Sequence, residues 1–450
     1  FIMDIQIIIL VIFIGGYLAI TLEHTFKIDK LIPALGMMAL LWAIISLFHL
    51  DVFNVNSELK QLTPTHLEEI ILHHLGKTAE ILLFLIGAMT IVEIIDYFDG
   101  FATIKGFIRT KSKVNLLWIF SILGFILSAI IDNLTATIVL ITILQKVIKD
   151  RETRLWFAGL IVISANAGGA WSPIGDVTTT MLWIANKVTT LQLILHTFIP
   201  SVVCMVVPVF IASKFKVFSG EIELDTNEEV STSKYGALML YLGLSAIVFV
   251  PIFKTVTHLP PYIGMMLSLA VVAAFAEIFS NRLFDLSNVG EEQEASDAAS
   301  HHSPVHKSLG KVEMPSILFF LGILMAVAAL ESLGMLFNFA NDLDTAIPNR
   351  DIVVAILGIG SAIIDNVPLV AASIGMFSVP MDHPLWHFIA YAAGTGGSIL
   401  IIGSAAGVVA MGMEKINFFW YLKKIGLLAL IGFVAGGVAF IAMRDLILNA

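Results

Sequence analysis

The hexapeptide Ser-Ala-Ile-Ile-Asp-Asn occurs twice, at Ser128–Asn133 and Ser361–Asn366, 233 positions apart (365 − 132). Each copy lies inside a long apolar stretch, where a carboxylate is the least welcome side chain. An ionisable residue inside a membrane segment is a functional residue by default. One such residue per internal repeat points to a transporter whose site lies between two repeats.

Composition agrees with a membrane location. Apolar residues make up 58% of the chain and charged residues 13%, against roughly 25% charged in soluble domains. Mean hydropathy is +0.93, and many windows exceed the ~18 apolar residues that span a bilayer. The runs do not alternate as barrel strands would. The expected fold is therefore an all-α polytopic membrane protein, its partner the lipid bilayer. The formal net charge of −10 reads as solvated loops and not as a nucleic-acid surface. The single cysteine, Cys204, rules out an internal disulfide. Gly76-Lys77-Thr78 resembles the end of a phosphate-binding loop, but Ile71 stands where the first glycine belongs, so no nucleotide site is expected.

Spanning helices are expected near 5–22, 31–50, 78–98, 153–187, 190–213, 235–254, 260–279, 313–337, 385–413 and 416–445. The first run is counted as a helix and not as a leader. Thr63–Leu75 and Phe101–Thr110 read as interfacial helices. Residues 280–312, acidic and then His-rich around His301, His302 and His306, read as a mobile surface loop.

Two further matches support duplication. Ala165–Gly175 (ANAGGAWSPIG) aligns with Ala393–Gly403 (AGTGGSILIIG) at an offset of 228 (396 − 168), and Phe84–Asp96 aligns with Phe319–Glu331 at 235 (319 − 84). The order is the same in each half: helix, SAIIDN, then a glycine pair. The expected organisation is residues 1–77 as N-terminal scaffold helices and 78–213 as repeat 1, with a hairpin tip at 132–135 and a broken helix at 166–176. Residues 214–312 form the link. Residues 313–450 form repeat 2, with a tip at 365–368 and a break at 394–404. Pro368 is expected to break a continuing helix.

Charge distribution orients the repeats. Lys105, Arg109, Lys111 and Lys113 precede the first SAIIDN element, and Lys146, Lys149, Arg151 and Arg154 follow it. By the positive-inside rule both ends of this element are cytoplasmic, as in a re-entrant hairpin. The second element has Arg350 before it and no Lys or Arg after it through Glu414. That suits a hairpin entering from outside, so the two repeats are expected to be inverted in topology.

Residues 114–145, 155–186 and 351–414 contain no Lys or Arg. Asp132, Asp176 and Asp365 lie in these stretches with no cation on their own segments. A buried carboxylate must be paired or protonated, so the missing partner is read as a transported cation or a proton. Asn133, Asn166, Asn366, Thr135, Thr137, Thr178, Thr179, Ser361, Ser398 and Ser404 supply neutral oxygens nearby, a donor set for a hard cation. Each residue also has a plain structural reading. The aspartates can cap helices, and the hydroxyls can bond preceding carbonyls. Glu93 is a possible ion-path group or a helix–helix hydrogen bond.

FLIGAMTIVEIID, SAIIDNLTATIV, SANAGGAWSPIGDVTTTMLW and IIDNVPLVAA resemble the NhaD family of sodium/proton antiporters, in the ion transporter superfamily. The resemblance covers most of Glu80–Gly412, and GGAWSPIGDVTTT is its most specific part. Arsenite-exporting relatives tend to follow Gly-Asp with Pro-Pro-Asn, where this chain has Val177-Thr178-Thr179. Dicarboxylate carriers tend to place Ser-Asn-Thr at the hairpin tips, where this chain has Asp132-Asn133 and Asp365-Asn366. The resemblance implies a secondary Na+(Li+)/H+ antiporter and not an enzyme. It implies no cofactor, a homodimer with scaffold and transport parts, and a bacterial inner membrane. Na+ would sit at Asp132, Asn133, Asp365 and Asn366. The alternative is a related arsenite exporter or Na+-coupled carboxylate transporter.

Overall fold

The computed structural model describes residues 2–21, 27–56, 61–105, 110–222, 235–287, 303–364 and 366–448. Asp365, Arg109, His301 and His302 lie outside the described residues.

Apolar runs in a bilayer must satisfy their backbone internally, and the α-helix does this within one segment. The helices are α1 Ile2–Thr21, α2 Leu31–Leu47, α3 Leu67–Tyr97, α4 Lys113–Ile131, α5 Asn133–Val147 and α6 Arg151–Gly169. Next come α7 Val177–Ile184, α8 Thr190–Ala212, α9 Gly236–Thr257, α10 Pro261–Ser287, α11 Pro304–Lys311 and α12 Met314–Ser332. The last six are α13 Met335–Ala346, α14 Arg350–Ile364, α15 Asn366–Met376, α16 Pro384–Gly396, α17 Ala405–Glu414 and α18 Leu427–Leu448. Among the described residues seven helices are long and apolar enough to cross a membrane. The chain is an all-α polytopic membrane protein, and among the described residues the only regular strands form one antiparallel hairpin, β1 Val52–Asn56 paired with β2 Gln61–Thr65.

Two expectations need correction. Thr63–Leu75 is not an interfacial helix. Its first residues belong to β2, and the rest opens α3, a continuous helix of 31 residues. At 1.5 Å per residue such a helix is about 46 Å long, longer than the ~30 Å hydrocarbon core. Its polar first turns, with Glu68, Glu69, His73 and Lys77, therefore extend past the apolar layer. Segment 280–312 is not simply a loop. α10 continues to Ser287, and α11 packs against α3, where Lys311 Nζ lies 3.4 Å from Asp96 and 3.9 Å from Glu93. α14 ends at Ile364, four residues before Pro368, whose ring and missing N–H a continuing helix could not accommodate. The proline itself lies in the first turn of α15, where no intrahelical partner for its missing N–H is required. Within 101–110, Ala102–Lys105 forms one short helical turn.

The matched elements take matching structures. α4 and α5 meet at Asp132, and α14 and α15 meet across position 365. α6 and α7 are separated by an irregular stretch, as are α16 and α17. The contacts that hold each break recur between matched positions, at offset 233 on the hairpin side (361 − 128) and 228 on the broken-helix side (393 − 165). Ser128 Oγ donates to the Ala165 carbonyl (2.6 Å), and Ser361 Oγ donates to the Ala393 carbonyl (3.3 Å). A methyl on Gly168 would lie 2.2 Å from the Phe125 carbonyl oxygen, and one on Gly396 would lie 2.0 Å from that of Gly358. Both glycines are thus required by close backbone approach between hairpin and broken helix. The halves also interlock, since α5 packs on α17 and α15 packs on α7.

Candidate functional site

Asp132 is the single residue between α4 and α5, with φ 83° and ψ 159°. Glycine is the usual occupant of this region, and another residue there costs about 1–3 kcal/mol. Thr135 holds the strained tip. Its backbone N–H donates to Asp132 Oδ1 (2.8 Å) and its hydroxyl donates to Oδ2 (3.0 Å). The carboxylate thus caps α5 in the usual N-cap manner. The capping role and a binding role are compatible, because an ionised carboxylate offers about four acceptor positions.

Behind this tip runs a chain of amides. Asn133 Nδ2 donates to Asn166 Oδ1 (3.0 Å), and Asn166 Nδ2 donates to Ser404 Oγ (2.9 Å). All three side chains are buried. Ser404 also caps α17 by accepting from the Gly407 N–H (3.2 Å). At the other tip Asn366 Nδ2 donates to Asp176 Oδ2 (3.1 Å). Asp176 Oδ1 accepts from the Thr178 N–H at 3.4 Å, a long cap on α7. The two halves are therefore related but not equal. The residue matching Asp176 at offset 228 is Ser404, so one broken helix carries a carboxylate where the other carries a hydroxyl (404 − 176).

A cavity of about 70 Å³ lies between these elements. Asp132, Asn133, Asp176 and Asn366 all line it, together with Val367, Thr180 and Ser316. At ~10–15 Å³ per water on this measure, it holds a few waters or a partly hydrated ion. Two carboxylates and two amides with apolar walls form a hard-oxygen donor set. A second cavity of about 130 Å³ shares Lys30, Leu134, Ser316 and Ala405 with the first and adds Asp29 and Glu313. These acids lie just before the first residues of α2 and α12.

Not every expected residue reaches the cavity. The hydroxyls of Thr179, Ser361 and Ser398 are spent on backbone carbonyls, at 2.9, 2.8 and 2.7 Å respectively. Thr137 and Thr178 are buried, and their hydroxyls have no hydrogen-bond partner among the described residues. Glu93 faces Lys311 and not the cavity. Sequence reasoning missed Lys30, which lines the cavity with its Nζ 4.5 Å from the Phe319 ring centroid. It precedes α2, remote in sequence from both motifs, so the lysine-free stretches around the aspartates gave no signal of it.

A family profile described as citrate transporter matches residues 8–386. "Sodium/proton antiporter 1" of Arabidopsis thaliana is 41% identical over 96% of this chain and 71% of its own length. "Sodium/proton antiporter 2" of the same plant is 39% identical, over 96% of this chain and 98% of its own. The "Na(+)/H(+) antiporter NhaD" of Alkalimonas amylolytica is 31% identical over 94% and 88% respectively. With Asp132, Asn133 and Asn366 of the two hairpins on one cavity and similarity running along nearly the whole chain, the protein belongs to the NhaD family of sodium/proton antiporters, among the transporters that the citrate-transporter profile describes.

Proposed function

We propose that the chain exchanges Na+, or Li+, for protons at the cavity between the two hairpin tips. The observation that carries this reading is that Asp132, Asn133 and Asp176 from one half and Asn366 from the other line the same cavity. Asp365, by its match to Asp132, completes the site in this proposal. Asn166, Thr135 and Ser404 hold the lining residues in place. A cation and a proton compete for the same carboxylates, and a bare ionised pair is too costly to leave inside the membrane. The site therefore crosses loaded with one or the other, which couples the two flows. The test is Na+-dependent dequenching of a pH-sensitive dye in everted vesicles. A signal with Na+ or Li+ and none with K+ supports the proposal; its absence for all three overturns it.

Asp176 separates binding from capping. Asp176→Asn should raise the Na+ concentration for half-maximal exchange by about tenfold, equivalent to ~1.4 kcal/mol. If only the melting temperature moves, capping α7 is its whole role.

The two hairpins are proposed to open to opposite faces, so that alternating access is a rearrangement about one fixed site. Two sets of contacts support this. At the ends of the first hairpin, the Lys113 N–H donates to Gly220 and Arg154 pairs with Glu414. Near the second, Arg444 pairs with Asp351, and the Thr189 N–H donates to Asp382. Single cysteines at Lys111 and Pro348, in a Cys204→Ser background, test the arrangement. An impermeant thiol reagent outside intact cells should label the second and spare the first; labelling of both would rule out inversion. A homodimer and a bacterial inner membrane, with roles in salt tolerance and pH homeostasis, also belong to the proposal. They are checked by light scattering of the purified protein and by growth of an antiporter-deficient host in high salt.

The citrate-transporter description favours a second reading, a carboxylate carrier, and Lys30 gives the cavity one cation. Two carboxylates in the lining oppose an anionic substrate. Citrate uptake driven by Na+ in proteoliposomes would favour the carrier.

A further inference from the structure

A second recess, remote from the hairpin tips, is built from lysines. It encloses about 550 Å³ and is lined by Lys214 and Lys216, which follow α8, by Lys423 and Lys424, and by Trp156 and Leu427 among others. No acidic residue lines it, so its formal charge is +4. Lys423 and Lys424 lie on a π-helical turn, Leu422–Gly426, that leads into α18. Such turns are rare and concentrate at functional sites. All four lysines are exposed.

The surroundings say what kind of anion fits. Phe210, Phe419 and Leu427 beside the lysines are 54%, 65% and 61% exposed. Lys214 Nζ sits 5.2 Å from the Phe210 ring centroid, and Lys424 Nζ sits 6.0 Å from that of Trp156. The charged recess thus lies where exposed apolar side chains give way to a basic end of the molecule, as at a membrane surface. Lysines in this position attract anionic headgroups, and basic pockets between membrane helices bind them. A soluble phosphate would use the ammonium groups but not the apolar border.

We propose that this recess binds the headgroup of an anionic phospholipid, with its acyl chains along Phe210 and Leu427. Because its lining comes from α6, the end of α8 and the start of α18, a bound lipid would tie the outer arm of the first broken helix to two flanking helices. Nothing in this site depends on the Na+/H+ reading.

The test uses the purified full chain in neutral detergent, with thermal unfolding followed against added phosphatidylglycerol, phosphatidylcholine or glycerol phosphate. Phosphatidylglycerol should raise the melting temperature in a saturable way, and the other two should not. The pairs Lys423→Gln/Lys424→Gln and Lys214→Gln/Lys216→Gln should each weaken its apparent affinity by about tenfold or more. The control pair Lys146→Gln/Lys149→Gln, at the basic end but outside the recess, should change it less than about twofold. Equal stabilisation by phosphatidylcholine, replacement by glycerol phosphate, or undiminished affinity in both recess pairs would each overturn the proposal. So would a change of oligomeric mass in the recess pairs without a change in lipid affinity, which would assign the recess to a second copy. Should the Gln pairs fail to fold, native mass spectrometry of the wild type decides. Retained phosphatidylglycerol in excess over phosphatidylethanolamine, relative to the source membrane, supports the site; no enrichment overturns it.

Discussion

Asp132→Asn should abolish Na+/H+ exchange while leaving the protein folded and inserted. The asparagine side chain keeps an oxygen that accepts from the Thr135 N–H, now 2.8 Å from Oδ1. Asparagine also tolerates positive φ better than most residues, which the tip at φ 83° demands. What it loses is the negative charge. Removing one partner from a buried charge pair costs about 3–5 kcal/mol, so exchange should fall by at least about a hundredfold. Dye dequenching in vesicles, normalised to membrane protein, measures it. Near wild-type exchange at normal expression would remove Asp132 from the ion path and leave it a helix cap.

The second large effect is on folding. Gly168→Ala places a methyl 2.2 Å from the Phe125 carbonyl oxygen, and Gly396→Ala places one 2.0 Å from that of Gly358. Both contacts are with backbone, which cannot rotate away. Overpacking in a filled interior costs typically 1–3 kcal/mol and sometimes more. Because here a helix must shift against a hairpin, a loss of about 3 kcal/mol or more is expected. Gly76→Ala is the control, since nothing lies within 4 Å of its would-be methyl and it sits in α3. Helix propensity then favours alanine by about 0.8–1 kcal/mol. Size-exclusion profiles and melting curves should show the first two variants depleted or aggregated and the control intact. Wild-type melting in both would mean that hairpin and broken helix are not in contact as described.

Much of this was legible in the chain because membrane helices advertise themselves and their interruptions. SAIIDN and the Gly-Gly pairs are polar or backbone-permissive residues in apolar runs, and such residues survive there only for a reason. Their twofold occurrence drew attention to Asp132, Asn133 and Asn366, which line the cavity, whereas Asp176 has Ser404 at its matching position. What was not legible depended on chain segments far apart. Lys30 reaches the cavity only through packing of α2 against α12. The Asn166–Ser404 bond crosses 238 positions, with glycine at the site matching Asn166 (166 + 228 = 394). The start of α3 misled because charged residues on a long helix look interfacial until the helix is known to outrun the bilayer. Glu93 is a different case. Of its two readings, an ion path or a helix–helix bond, the contact with Lys311 of α11 fits the second, and that partner lies in a segment read as loop.

The central claim is that Na+ and protons compete for one set of carboxylates. Calorimetric titration of purified protein with Na+, in two buffers of different ionisation enthalpy, counts the protons released per ion bound. Release should be measurable near neutral pH, and Na+ affinity should rise with pH by up to about tenfold per unit for each proton displaced. Asp132→Asn should remove the release. Na+ binding of pH-independent affinity, with no proton leaving the protein, would contradict the account.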